Sequence, residues 1–202
     1  MLLLAIDTSA NHVSVALLMN NKQVRYTQQE MDRGQGEALI PLIQNLLKGA
    51  QKTMADLTGV AVAVGPGSFT GVRIGIATAR AIGMALNIPV YGVTNFEAYA
   101  YSLLTPVTVV LDSKRDDYFV QKFDENGVAS GKPRIATFEQ LKKELPFVAV
   151  GSGAKDLAKK IKCKVLDKIS PTAVCVGRVA LARIDNPLPP TPIYLRDADV
   201  TV

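Results

Sequence analysis

Two stretches of the chain carry residue types that could do chemistry. One is Asp7-Thr8-Ser9, an acid and two hydroxyls closing the apolar run MLLLAI; the other is the glycine-rich 63-AVGPGSFTGVRIGIATARAIGMAL-86. Together they suggest phosphate handling, because glycines let backbone N–H groups approach an anion at the start of a helix. Details of spacing count against it. A P-loop needs Gly-x4-Gly-Lys-Ser/Thr, and Val72 and Arg73 follow Gly71. A dinucleotide fingerprint needs GxGxxG, whereas Gly65, Gly67 and Gly71 are spaced GxGxxxG. Pro66 removes one N–H that an anion would use. The glycines therefore read first as turn formers between a strand and a helix. A weak anion or nucleotide contact is the most that Asp7, Thr8, Ser9, Gly65, Gly67, Ser68 and Thr70 are expected to make.

Other reactive arrangements are equally sparse. GPGSFTG around Ser68 does not fit the GxSxG nucleophile elbow. The single histidine, His12, reads as a surface or turn residue at the start of a strand. Cys163 and Cys175 are not at ligand spacing and suit a reducing compartment, so no metal site is expected. Asp7 interrupts the N-terminal apolar run before a signal peptide could form. Arg73, Arg80, Asn87 and Pro89 break the longest apolar segment, so a cytoplasmic protein with no membrane contact is expected. Residues 1–100 carry 7 Lys+Arg against 6 Asp+Glu, and residues 101–202 carry 16 against 12. Much of that excess lies in Lys155–Lys168, which reads as a solvated lysine face, with an RNA-facing patch as the alternative.

The elements that must position these residues follow from periodicity. Strands are expected at LLLAID, HVSVALLM and KQVRYTQQE, with an Asn20-Asn21 turn between the last two. A helix at about Glu37–Lys48 has Pro41 in its early turns, and a strand at TGVAVAV leads into a helix over 71–86. IPVYGV and NFEAYAYSLL add a strand and a helix. The second half gives strands at PVTVVLD, DYFVQKF and PFVAV, and an Asn126-Gly127 turn into an extended piece. Its helices are FEQLKKEL, GAKDLAKKI and PTAVCVGRVALAR, followed by an extended proline-rich tail. The order repeats, and so do residues: IDTSANHVSV matches LDSKRDDYFV, and 63-AVGPG-67 matches 149-AVGSG-153. Two matches in the same order indicate an internal duplication. The expected fold is α/β, two lobes with mixed sheets flanked by helices, at residues 1–104 and 105–202, with the last helix free to pack back across.

This plan is similar to the actin-like (RNase H-like, ASKHA) architecture. GPGSFTGVRIGIATA, IDTS, EALIPLI and PIYLR together resemble the bacterial TsaB (YeaZ) family over nearly the whole chain. The resemblance implies a non-catalytic partner subunit in the synthesis of tRNA threonylcarbamoyladenosine, next to the anticodon. It implies binding to the catalytic relative TsaD together with TsaE, or a homodimer through the same helices, with tRNA reached indirectly through the complex. It also implies that TsaD's metal-binding histidine pair is replaced here by the Gln35-Gly36-Glu37 region. No cofactor is expected on this chain alone; ATP or ADP would belong to the complex interface. Actin-like ATPases carry Asp-x-Gly-x-Thr where this chain has Asp7-Thr8-Ser9 and Asp112-Ser113-Lys114. The alternative reading is a weak ATPase or hydrolase-like enzyme of the same superfamily.

The two first-lobe helices are apolar around a wide arc. Gly71, Gly75, Ala79 and Gly83 recur every four residues as a ridge of small side chains, which lets another backbone come close. Arg73 and Arg80 share a face. Expected partner contacts are Leu39, Ile43, Leu46, Leu47, Gly71, Arg73, Gly75, Ile76, Ala79, Arg80 and Gly83.

Overall fold

Leu2 to Ser9 are all buried, as a strand covered on both faces requires. In the computed structural model, which describes residues 1–20, 22–167 and 172–196, they belong to β1 (Leu2–Ala10). Antiparallel to it runs β2 (His12–Met19), and β3 (Lys22–Glu30) completes the meander. Asn20 takes the left-handed φ of 48° between β2 and β3, and Asn21 lies outside the described residues. β4 (Gly59–Ala63) and β5 (Val90–Val93) add in parallel, giving the order β3-β2-β1-β4-β5.

Alternation along β1 assigns its two faces. Ile6 and Thr8 meet α2 (Phe69–Leu86) at Gly75, while Ala5 meets α6 (Thr172–Ala182) at Gly177. α1 (Gln35–Gly49) packs on β2 and β3 and touches α2. The helix expected at 37–48 thus begins two residues earlier, and Pro41 lies inside it, on its exposed side. The short α3 (Asn95–Ala100) follows β5. At its start Thr94 and Glu97 cap one another: Thr94 N and Oγ1 donate to Glu97 Oε2 at 2.9 and 2.7 Å. Arg183, just beyond α6, pairs with the other oxygen of Glu97 and donates to Gly92 O at 3.1 Å.

The second unit repeats the first. β6 (Val107–Asp112), β7 (Asp117–Phe123) and β8 (Arg134–Thr137) form an antiparallel meander. β9 (Val148–Val150) and β10 (Lys164–Val165) add in parallel, giving β8-β7-β6-β9-β10. α4 (Phe138–Lys142) and α5 (Ala154–Lys160) bring Leu141, Ala154 and Leu157 into a core with Val110, Tyr118 and Val120. The duplication read from two motif pairs is therefore present as one topology used twice. The glycine positions agree too: Gly65 and Gly151 both have positive φ, 97° and 118°, after β4 and β9.

The boundary at 104/105 needs correction. The first unit is residues 1–98 with 169–192, and the second is 99–168 with 193–202. α6 is as apolar as a core helix, and the sheet face opposite α2 needs that cover, so the chain returns to its first unit. Pro171, read as the start of the last helix, lies outside the described residues.

Candidate functional site

The acid and hydroxyls that open the sequence lie at the carboxyl end of β1, beneath the glycine loop, and are buried. Asp7, Thr8 and Ser9 are 2–3% exposed. Ser9 donates to Asp7 Oδ1 twice, from its backbone N at 2.8 Å and its Oγ at 2.5 Å. His12 Nε2 lies 3.4 Å from Asp7 Oδ2. Asn95 at the start of α3 donates from Nδ2 to Ser9 Oγ (2.7 Å) and to Pro66 O (2.8 Å), and its backbone N donates to Gly65 O (2.8 Å). Thr8 Oγ1 donates to Gly71 O at 2.6 Å.

The loop is fitted to this floor. Ser68 N donates to Ser9 O at 2.7 Å, and Ser68 Oγ caps α2 by accepting from Gly71 N at 3.2 Å. A Cβ on Gly67 would come within 2.3 Å of Ser9 O, and one on Gly71 within 2.0 Å of Thr8 O. Backbone carbonyls of Ser9 and Thr8 thus occupy the positions that side chains at 67 and 71 would need. Gly67, Ser68 and Thr70 are exposed on the outer side of the loop, whereas Gly65 is buried.

Chemically, the cluster has the wrong order for acyl transfer. A serine nucleophile needs the imidazole between hydroxyl and carboxylate. Here the carboxylate stands between Ser9 and His12, and Ser9 is sealed from solvent. Asp7 is the shared acceptor of this buried polar cluster. His12, expected as a surface or turn residue, directly follows the β1–β2 turn but is not on the surface: it is 8% exposed, because that turn folds it back onto Asp7. Burial is the largest influence on its imidazole and pushes its pKa down. The hydrogen bond to Asp7 and the charges of Asp7 and Glu30 outweigh that, and the net direction is upward from 6.5. A pKa raised in the fold means that protonation stabilises it. That stability is complete below about pH 6.5 and is lost as pH rises through the folded value. Urea unfolding followed across this range should show stability declining with pH, and His12→Gln should flatten the decline. An unchanged slope in the variant would remove His12 as the cause. Neither His12 nor Asn95 was assigned to the site from sequence. The Asp-x-Ser turn and the Thr94-x-x-Glu97 capping pattern were the available signals.

The ridge of small residues also has a different use from the one expected. Leu39, Ile43, Leu46, Leu47, Gly71, Gly75, Ile76, Ala79 and Gly83 are all buried by their own chain. Gly71 and Gly75 sit on Thr8, and Gly83 sits on Val90. The close approach predicted by the ridge is real, but its partner is the first sheet. By length and composition alone α2 could cross a membrane; its ridge against β1, β4 and β5 makes it a core helix. Of the expected partner contacts, Arg73 and Arg80 are exposed, beside Ile40, Phe69 and Met84. Arg73 lies 3.7 Å over the Phe69 ring.

The family model described as TsaD, tRNA N6-adenosine threonylcarbamoyltransferase, matches residues 8–174. An uncharacterized protein of Mycobacterium tuberculosis is 31% identical over 97% of this chain and 92% of its own. The Escherichia coli tRNA threonylcarbamoyladenosine biosynthesis protein TsaB is 31% identical over 76% of this chain and 72% of its own. The chain belongs to the TsaB (YeaZ) family. YeaZ from Pseudomonas aeruginosa superposes with a TM-score of 0.80 at 22% identity, covering 96% of this chain and 99% of that one. The actin-like fold is shared with the activator of 2-hydroxyisocaproyl-CoA dehydratase from Clostridium difficile, solved with ADPNP. Its TM-score is 0.57 at 11% identity, over 92% of this chain and 96% of the activator.

The metal site that the resemblance attributes to TsaD does not fit this TsaB-family chain. Its sole histidine is held on Asp7, and α1 opens with Gln35, Gly36 and Glu37. Among the described residues no three His, Cys, Asp or Glu side chains converge.

Proposed function

We propose that this chain is a non-catalytic subunit of the cytoplasmic machinery that makes threonylcarbamoyladenosine in tRNA. In this reading it binds TsaD through the outer faces of α1 and α2 and acts together with TsaE. The observation that carries it is the pairing of a closed site with an open face. Asp7 and the glycine loop are taken up by the chain's own contacts, while Ile40, Phe69 and Met84 stand out on helices whose other sides are packed. Apolar side chains placed on the surface of rigid helices suit a helix-on-helix interface. A homodimer would use the same face and so compete with TsaD, and any ATP or ADP would belong to the assembled complex.

Reconstitution tests the reading. TsaD, TsaE, unmodified tRNA and the threonylcarbamoyl donor, assayed with and without this chain, should differ by more than about tenfold in modified nucleoside formed. The chain without TsaD should form none. Full activity of TsaD alone, or modification by this chain alone, would overturn it.

A further inference from the structure

A cleft of about 670 Å³ opens in the second unit, where the strand ends Thr105–Thr108, Lys122–Asp124, Pro146–Val148 and Lys162–Lys164 come together. Its charge is unevenly committed. Glu144 is taken by Lys122 at 2.8 Å and by Arg134, and Asp124 Oδ1 accepts from Asn126 N and Val128 N at 2.9 Å within its own turn. Lys162 and Lys164 have no carboxylate partner among the described residues, and both are exposed. Cys163 between them turns inward onto the unit's core, which leaves the two lysines on the outer side together. A smaller hollow of about 340 Å³ shares Lys122 and Glu144 and adds Lys132 and Arg134.

Of the segment's other lysines, Lys159 is exposed on α5 with no ion pair among the described residues and is not in the cleft's lining, and two are occupied. Lys155 pairs with Asp167 at 2.9 Å and Lys160 with Asp156 at 3.0 Å, while Lys168 lies outside the described residues. The free charge of Lys162 and Lys164 is therefore concentrated at the cleft. The rings of Pro106, Pro146 and Phe147 also line it, the first two exposed and the third half-buried with one side against the unit's core. An aromatic ring, two exposed proline rings and unpaired ammonium groups lining one cleft match a ligand that is planar and polyanionic by turns. Single-stranded RNA has that chemistry: splayed bases stack on rings while phosphates meet lysine. An acidic peptide would satisfy the lysines but give the rings no planar partner.

We propose that this cleft binds a single-stranded segment of RNA. The inference rests on the tRNA-modification reading only for which RNA arrives there. The test is amide-resolved NMR of the whole chain, titrated at low salt with oligouridylate, with UMP and with oligoglutamate in separate arms. Oligouridylate should shift the amides of Phe147, Lys162 and Lys164. The paired change Lys162→Glu and Lys164→Glu should weaken binding at least about tenfold and reduce the salt slope by about 1.4, two phosphate contacts' worth. Absence of shifts at the cleft, binding that ignores the double reversal, UMP binding as tight as the oligonucleotide, or oligoglutamate alone producing the shifts would each overturn it. Co-elution of the unaltered chain with TsaD is scored separately, so failure of the partnership and failure of the cleft are told apart.

Discussion

Met84→Glu is expected to abolish the proposed co-elution with TsaD while leaving the unfolding midpoint of the isolated chain where it was. Met84 is 84% exposed, so a carboxylate there costs the monomer no more than about 0.5 kcal/mol. In the proposed interface the same carboxylate would be buried against apolar helices without a partner. That costs about 3 kcal/mol, or roughly a hundredfold in affinity. Ile40→Glu, on α1 at 43% exposure, should act in the same direction. The contrast lies with Ile43 and Ala79, at 1% and 0% exposure. Charge reversal there would break the monomer itself and so could not report on pairing. Gel filtration with TsaD, alongside urea unfolding of each variant, separates the two. Retained co-elution of both Met84→Glu and Ile40→Glu would remove this face as the docking surface.

Gly71→Ala is expected to destabilise the chain strongly where Gly36→Ala stabilises it. Both glycines lie in helices, where alanine is ordinarily better by about 1 kcal/mol. At Gly36 the new Cβ would stand 3.8 Å from Ile74 Cδ1, an ordinary contact, so a gain of about 0.5 kcal/mol is expected. At Gly71 it would fall 2.0 Å from the backbone oxygen of Thr8 and 3.1 Å from its carbonyl carbon. Backbone on backbone leaves nothing flexible to yield. α2 would have to lift off β1, giving up the Thr8 Oγ1 bond to Gly71 O. A loss of about 3 kcal/mol or more follows, a large share of a domain's stability. Urea midpoints of the two variants check this, and a Gly71→Ala protein as stable as the parent would refute the account of the loop as a packing device.

The glycine loop shows how far local sequence reaches. Its failure to match either phosphate-binding spacing, and Pro66 within it, pointed to a strand-to-helix turn, and that turn is present, packed on the carbonyls of Thr8 and Ser9. The duplicated strand order was legible for a similar cause: alternation, turn residues and the two Asp and Gly motifs are local, and each recurs in order. The ridge on α2 was legible as a close-packing surface, but its direction was not.

Sequence by itself determined the α/β class, the repeated plan, the family and the demand for close backbone approach at Gly71 and Gly75. These depend on neighbours within a turn or a strand. Tertiary structure alone decided which way each helix faces, because a helix apolar on most sides has no preferred rotation until a sheet is beneath it. It turned the ridge inward and left Met84 and Ile40 outside. It also brought His12 onto Asp7, joined Ser9 to Asn95 across 86 residues, and returned residues 169–192 to the first unit. The last two reflect the burial of whole surfaces rather than the preference of any segment, and no window of sequence contains both sides of them.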